Sequence, residues 1–481
     1  MSALIAKLAL FFGSSFIWGL AFVRIKLPPL LGYIVSGVIL GPSFSKTLGA
    51  SIEYIQVIGD IGLLVLMFLA GLELDIDEFT SERNDPIMPI KTVMLQILFS
   101  FGACLLIWII PNSIVSNFVN ASIASVLVIG LTGALVILFN RICAKIGLHW
   151  RSAIKLAVLV ICVFILGISG LLYCRIIPVN SIFTFKTMFL TACLLSLNSS
   201  AVVMKLLENR DKKNTKVGTS IIGILIAQDL ALIGMLIGLD SITTGISVQS
   251  LLFKVGVALG LLWLVKVLTE SRPSFLSKAL DYIFSSSKEL SSVFVIALCF
   301  VCSALALLVG LSPIYGAFMI GLLLGNVYKH SEMIIEMCEP ISHILMTMFF
   351  MWVGAILNIH EMNDDWIPLV AISVLMIIYK YFSNYMIINF VQNKHVDLRM
   401  VDPLARVGLS RSCIILCSVL LTQMSEFSIV MVDIVQQGLK AGESGFELCK
   451  LLRTASILSL SLGSVATVFM KNTMYKLKYI R

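Results

Sequence analysis

The sequence predicts an all-α polytopic membrane protein with about 13 to 15 transmembrane helices built from inverted repeats. The first observation is composition: 59% of the 481 residues are hydrophobic and only 13% are charged, whereas soluble domains carry about 25% charged residues. The second is that apolar stretches of at least about 18 residues, long enough to cross a bilayer, recur along the chain. The third is a motif that occurs once in each half.

That motif is Leu-x-Pro-x-x-Gly-x-x-x-x-Gly-x-x-Leu-Gly, which begins at Leu27 and again 284 residues later at Leu311. A second similarity follows at nearly the same offset, because Phe68–Asp75 lies over Met351–Asn358. Paired short apolar segments marked by Gly and Pro are typical of secondary transporters, whose substrate site lies where the repeats meet. The alternative is that the Gly-x-x-x-Gly spacings are two unrelated helix-packing motifs.

We assign residues 1–470 to one transmembrane domain, with a first repeat over about 27–239 and a second over about 311–470. Residues 471–481 form a short basic tail. The helices that we expect are 3–23, 28–41, 53–73, 91–110, 120–140, 153–173, 186–207, 217–239, 250–268, 290–309, 312–328, 341–359, 366–391, 404–438 and 448–470. The segment 28–41 would reach only about 21 Å, short of a hydrocarbon core of about 30 Å, which predicts that it is tilted, re-entrant or half-shielded by protein.

The basic residues lie in short loops, which predicts topology and excludes the basic patch of a nucleic-acid-binding protein. All of these loops face the cytoplasm together only if 404–438 crosses once, and that places the N-terminus outside and the C-terminus inside. Thirty-five residues are too long for one plain span. A break is therefore expected within 404–438, at the polar stretch Thr422–Glu426.

Two charges lie deep within apolar runs. Asp229, beside Gln228, is near the centre of Val217–Leu239, where a carboxylate costs about 2.5 to 3.5 kcal/mol and usually marks an ion or proton path. Lys380 is equally central in its own run. The simplest hypothesis is an ion pair between Lys380 and Asp229 that cation or proton binding releases; pairing of Lys380 with Glu426 is the alternative, as is a bracing role for Asp229.

The polar triplet Asn198, Ser199 and Ser200 lies inside the predicted span 186–207. Its amide and hydroxyl oxygens, with carbonyls of a locally unwound backbone, would suit a hard monovalent cation. Ser and Asn in membrane helices are also ordinary interhelical hydrogen-bonding residues, and the triplet alone favours that interpretation.

Five segments stand in order along most of the chain: Leu27–Pro42, Phe68–Asp75, Asn198–Val203, Gln228–Asp229 and Gln423–Phe427. Together they resemble the monovalent cation:proton antiporter-2 family, which includes sodium/proton exchangers and glutathione-gated potassium-efflux proteins. The Gln-Asp pair is most similar to the potassium-efflux branch.

The resemblance implies a sodium/proton antiporter-like fold in which two discontinuous helices cross beside a panel or dimerisation domain. It places Asn198, Ser199 and Ser200 in the first crossing helix, and Asp229 and Gln228 at the ion and proton site with Lys380 as the charge partner. The second crossing region would contain Thr422, Gln423, Ser425 and Glu426. A homodimer in the bacterial inner membrane is the implied setting.

The sequence departs from the family pattern in three places. Residues 111–180 contain an apparent inserted helix pair, and residues 410–419 interrupt a stretch that is compact in the family. No Gly-x-Gly-x-x-Gly follows a strand, so the nucleotide-binding regulatory domain of many potassium-efflux relatives is not expected.

We therefore expect a secondary active transporter that exchanges Na⁺ or K⁺ for H⁺, electroneutrally, with alternating access around Asp229. We expect no cofactor, no metal other than the transported cation and no nucleic-acid partner. A cation channel or ligand-responsive potassium-efflux protein on the same scaffold is the second hypothesis. An enzyme, an intramembrane aspartyl protease pairing Asp60 with Asp229, is disfavoured because the Tyr-Asp partner motif is missing.

Overall fold

The structure is a computed structural model. It describes residues 2–47, 52–72, 87–109, 185–207, 216–244, 248–271, 274–328, 331–357, 366–398, 411–439 and 445–476. Within these ranges the chain is helical, with turns and one isolated backbone bridge. The expected helices 120–140 and 153–173 and the inserted pair 111–180 lie outside the described residues. Of the expected tail 471–481, residues 471–476 continue the last helix and residues 477–481 lie outside the described residues.

Sixteen helices occur in the described ranges, and we number them in chain order. They are α1 Ser2–Arg24, α2 Pro29–Thr47, α3 Ile52–Leu72, α4 Ile87–Ile109, α5 Phe185–Ser196, α6 Ser200–Leu206, α7 Lys216–Thr244, α8 Val248–Ser271, α9 Ser274–Ser286, α10 Lys288–Leu308, α11 Pro313–Val327, α12 Ser331–Ile356, α13 Trp366–Leu398, α14 Arg411–Leu420, α15 Phe427–Gln437 and α16 Phe446–Lys476.

Six of these helices are long and apolar enough to cross a membrane: α7, α8, α10, α12, α13 and α16. Shorter apolar helices accompany them, among them α5, α11 and α15. Two expected spans are each divided in two. The span 186–207 is divided between α5 and α6, and the break expected in 404–438 is confirmed between α14 and α15.

Two expectations need correction. The helix expected over 28–41 continues to Thr47 and reaches about 28 Å, so its length does not require a re-entrant path. Between the expected helices 250–268 and 290–309 the sequence predicts a basic loop, but the structure has the helix α9 there. Its apolar face buries Leu280 and Phe284, and the Phe284 ring lies 4.8 Å from that of Tyr328. A 13-residue amphipathic helix is too short to register as a membrane span.

The described chain divides into two compact units. Unit one comprises Met1–Asp85 and Ile233–Glu361, and unit two comprises Pro86–Leu232 and Met362–Arg481. Helix α7 belongs to unit two as far as Leu232 and to unit one from Ile233 onward.

In unit one, the two copies of the repeated motif pack against the elements that follow the opposite copy. A Cβ added to Gly37 in α2 would lie 2.0 Å from the carbonyl oxygen of Met351 in α12. A Cβ on its repeat mate, Gly321 in α11, would lie 2.0 Å from the carbonyl oxygen of Phe68 in α3. Both glycines therefore allow a close backbone approach that any side chain would prevent.

The reciprocal contacts obey the same symmetry. A Cβ on Gly71 would lie 2.2 Å from the Phe318 carbonyl oxygen, and a Cβ on Gly354 would lie 2.0 Å from that of Ile34. Ile34 and Phe318 are themselves 284 residues apart. The glycines are thus packing residues, as the alternative held, but the packing relates one repeat to the other.

The motif also begins with the same turn in both copies. Leu27 N–H donates to the Phe22 carbonyl and Leu311 N–H donates to the Ala306 carbonyl, each at 2.9 Å. The residue before each leucine has a left-handed backbone, Gly310 with φ +80° and Lys26 with φ +63°. This is the Schellman helix ending, which favours glycine at that position.

Candidate functional site

Two breaks in the helices of unit two meet at one point. Helix α5 ends at Ser196 and α6 begins at Ser200, while α14 ends at Leu420 and α15 begins at Phe427. Asn198 in the first break and Met424 in the second form an antiparallel backbone bridge. Two extended segments therefore cross, and each is flanked by helix ends.

Local capping explains where the helices restart. The Ser199 side chain accepts a hydrogen bond of 3.3 Å from the Val202 N–H and caps α6. In the second break, the Ser425 hydroxyl accepts a bond of 3.2 Å from the Phe427 N–H. Ser and Thr hydroxyls commonly supply the acceptor that the first N–H groups of a helix lack.

The first break leaves backbone N–H and C=O groups without the partners that a continuous helix would give them. Gln228 of α7 satisfies two of them: its Oε1 accepts from the Asn198 N–H at 3.2 Å, and its Nε2 donates to the Ser196 carbonyl at 3.1 Å. The Lys380 ammonium of α13 donates to the Leu197 carbonyl. One amide and one ammonium thus hold the broken backbone.

The second break is held from α13 and α16. Asn384 donates to the Leu421 carbonyl. Thr467 donates to the Val419 carbonyl at 3.2 Å and accepts from Gln423 Nε2 at 3.3 Å. A Cβ added to Gly463 would lie 3.3 Å from the Cα of Gln423, so the glycine lets α16 lie close to the break.

Two carboxylates belong to the crossing. Glu426 is buried, 1% exposed, and its Oε1 accepts from the Ser200 hydroxyl at 3.4 Å, which joins one break to the other. Asp229 is partly exposed. Its carboxylate makes no hydrogen bond and no ion pair with any residue that the structure describes, although the negative charge of Glu426 acts on it.

The side-chain amide of Asn198 is a second polar group at the crossing without a partner among the described residues. Asn198 is 2% exposed, and neither its Oδ1 nor its Nδ2 has a hydrogen-bond partner in the described part of the chain. Buried amides are nearly always hydrogen-bonded, so an exception needs an explanation, and a bound water or ion is one. The crossing therefore offers an amide oxygen together with carboxylate and hydroxyl oxygens.

A family model described as "Sodium/hydrogen exchanger, transmembrane" matches residues 9–141 and 143–471. The chain belongs to the sodium/hydrogen exchanger family. The chain is consequently an integral, multi-pass membrane protein of the cation/proton antiporter family.

Several curated relatives are similar to the exchanger over long stretches. It is 27% identical over 335 residues to the iron transporter MagA of Paramagnetospirillum magneticum, which covers 70% of this chain and 59% of that protein. It is 24% identical over 439 residues to the ammonium/H(+) antiporter subunit AmhT of Alkalihalophilus pseudofirmus, covering 90% and 86%. It is 24% identical over 366 residues to the glutathione-regulated potassium-efflux system protein KefC of Shigella sonnei, covering 74% and 46%.

Among solved structures, the sodium proton antiporter MjNhaP1 from Methanocaldococcus jannaschii has the same fold. The TM-score is 0.59 at 13% sequence identity, covering 100% of this exchanger and 99% of MjNhaP1. This confirms the antiporter-like fold expected from the sequence, with its two discontinuous helices.

The structure shows the contacts of three of the expected site residues. In the described part of the chain, Lys380 and Asp229 form no ion pair. The Lys380 Nζ donates a hydrogen bond to the Leu197 carbonyl instead. The Gln228 amide hydrogen-bonds to the backbone of the first break, and the Ser199 hydroxyl caps α6. The contacts of these side chains are those of groups that shape the site.

Sequence reasoning did not identify Gln96 of α4 or Asn384 as site residues. Both are buried, and Gln96 Nε2 donates to Asn384 Oδ1 at 2.6 Å. A signal was present: Gln96 precedes Lys380 by 284 residues, the offset of the repeated motif. Applied to α4, the repeat would have indicated Gln96 as the counterpart of the charged residue.

Proposed function

We propose that the exchanger carries a monovalent cation, Na⁺ or K⁺, in one direction and a proton in the other, with Asp229 as the group that binds either. The observation that carries the proposal is the Asp229 carboxylate, which has no hydrogen bond or ion pair among the described residues although it adjoins a crossing that those residues otherwise hold tightly. A carboxylate at membrane depth is costly unless it binds a counter-ion or a proton. Competition for one carboxylate couples the two fluxes.

The chemistry of the neighbouring groups supports a hard monovalent cation. Asn198, Ser200 and Glu426 offer amide, hydroxyl and carboxylate oxygens at the crossing, and alkali cations bind such oxygens. Transition-metal sites more commonly use imidazole or thiolate, and the described ranges bring together no group of three or more His, Cys, Asp or Glu that would hold a metal ion. The iron cargo in the printed name of MagA is therefore the less favoured one here.

Charge balance supports electroneutral exchange. When Asp229 releases a proton and binds a monovalent cation, the total charge of the site is the same in the two loaded states. Lys380 keeps its hydrogen bond to the Leu197 carbonyl in this scheme and does not exchange a proton during the cycle. One proton therefore exchanges for one cation, with alternating access to the two sides of the membrane. We further propose a homodimer in a bacterial inner membrane with a cytoplasmic C-terminus.

Reconstitution of the full chain in proteoliposomes with an internal pH dye tests this proposal. We expect proton flux on addition of Na⁺ or K⁺, and the same rate whether or not a membrane potential is imposed. Ammonium and Fe²⁺ complete the series, since two relatives bear those cargoes in their names. Cation flux whose rate does not change with an opposing proton gradient would instead indicate a channel. A rate that changes with the membrane potential would contradict electroneutral exchange.

A further inference from the structure

A continuous series of side-chain amides joins the two breaks. Gln228 Nε2 donates to the Ser196 carbonyl in the first break and, at 2.8 Å, to Gln96 Oε1. Gln96 Nε2 donates to Asn384 Oδ1 at 2.6 Å, and Asn384 donates to the Leu421 carbonyl in the second break. All three amides are buried. The series crosses from α7 through α4 to α13.

The direction of every bond in this series is fixed by the backbone at its two ends. A carbonyl only accepts, so Gln228 must direct its NH₂ group to Ser196 and its oxygen to the Asn198 N–H. Its second N–H then needs an acceptor, which is the Gln96 oxygen. At the other end, Asn384 must direct its NH₂ group to Leu421, so its oxygen needs a donor. Only a group that accepts on one side and donates on the other completes the series, and a neutral amide does this.

We propose that Gln96 is a positioning residue of the exchanger, whose amide couples the two breaks so that the crossing segments keep one arrangement while the ion site is loaded and emptied. The inference rests on the proposed function for its role in exchange. The coupling itself is a statement about hydrogen bonding that stability can test without transport. A half-satisfied buried network is less stable than a complete one, because each unpaired group keeps its desolvation cost.

Gln96 and its counterpart in the second repeat differ in residue type, and the hydrogen bonds at each position account for the difference. Gln96 and Lys380 are repeat mates, and both lie beside the first break: Lys380 donates to the Leu197 carbonyl and Gln96 accepts from the amide that holds Ser196. A second lysine in place of Gln96 could donate but not accept. Gln96 both accepts and donates within the series, whereas Lys380 only donates to a carbonyl, and the residue types at the two positions match these bonds.

The test compares Gln96→Glu with Gln96→Leu. A protonated glutamic acid accepts from Gln228 and donates to Asn384, so it completes the series. An ionised carboxylate has no proton to donate, so its oxygen would face the Asn384 oxygen with no hydrogen bond between them. We expect Gln96→Glu to exchange near the wild-type rate at acidic pH and to fall by at least about tenfold at alkaline pH, relative to wild type at the same pH. Gln96→Leu should be slow at every pH.

Ser100→Ala is the matched control. It removes another hydrogen bond between α4 and α13, the one that the Tyr379 hydroxyl donates to Ser100 at 3.2 Å, and it should keep the wild-type pH profile.

Thermal unfolding of the same variants in detergent gives the second measurement. The midpoint of Gln96→Glu should approach that of wild type at acidic pH and fall below it at alkaline pH, whereas that of Gln96→Leu should be low throughout. A pH profile of Gln96→Glu identical to wild type, in both rate and midpoint, would overturn the inference, as would equal losses in the Glu and Leu variants at every pH. If wild type shows no cation-coupled proton flux, the proposed function fails, and the unfolding profiles still decide on the coupling.

Discussion

At the scale of single residues, the polar side chains around the crossing divide into groups with partners and groups with available oxygens. Gln228, Lys380 and Asn384 satisfy backbone groups that the breaks leave without helical partners. The Asn198 amide has no hydrogen-bond partner, and the Asp229 carboxylate has no hydrogen bond or ion pair, among the described residues. This division lets a site at membrane depth be rigid and still have free oxygens for an ion.

Lys380 offers a test of that division at one position. Lys380→Met leaves the Leu197 carbonyl without its donor, and a buried unsatisfied group costs about 1 to 3 kcal/mol. Lys380→Gln supplies a neutral N–H donor on a side chain one bond shorter. We expect the methionine variant to have the lower unfolding midpoint and the slower exchange, with the glutamine variant between it and wild type. Equal losses in both variants would contradict this role, because the N–H donor of the glutamine would then give no advantage over methionine.

At the scale of elements, the repeat is expressed as reciprocal packing. Helix α2 packs on α12 through Gly37, and α11 packs on α3 through Gly321, with the same 2.0 Å separation between an added Cβ and a carbonyl oxygen. The two Gly-x-x-x-Gly spacings are thus equivalent parts of one interlocked arrangement in unit one. They stabilise the scaffold and take no part in the crossing, which lies in unit two.

This packing predicts a sharp difference between glycines. Gly37→Ala and Gly321→Ala each force apart two backbones, so we expect unfolding midpoints far below that of wild type, and poor membrane expression. Gly256→Ala is the matched control, since a Cβ at that helical position meets nothing within 4 Å. There, alanine should be neutral or slightly stabilising because it is the better helix former. Wild-type stability of Gly37→Ala would contradict the close approach.

The same elements show what the sequence could and could not establish. Periodicity and hydropathy located the long spans, and the polar stretch Thr422–Glu426 located the second break, because a polar run inside an apolar helix is a local signal. Helix α9 was missed, since its amphipathic pattern is too short for a span. The positions of Gln228 and Lys380 were evident from the cost of polar groups in apolar runs. Their partners are backbone carbonyls of another helix, and the sequence carries no information on such distances.

At the scale of the whole molecule, the family and the fold agree with the interpretation of the sequence as a cation/proton antiporter. The family model spans nearly the whole chain, and the MjNhaP1 fold covers all of it. The chain spans 59% of MagA and 46% of KefC, so their complete activities do not transfer to it as such. Which cation is carried rests on the oxygens at the crossing, and the proposal of Na⁺ or K⁺ follows from them.

The central claim is that Asp229 binds either a proton or a cation. Its most direct test is cation-driven proton flux in proteoliposomes containing Asp229→Asn, beside Asp60→Asn as the matched control, because Asp60 is an exposed acid in α3 of unit one. The account predicts that Asp229→Asn abolishes the flux while the protein stays folded, since an amide has neither a proton to release at working pH nor a negative charge to balance the cation, and that Asp60→Asn retains it. Proton-coupled cation flux that persists in folded Asp229→Asn would contradict the account.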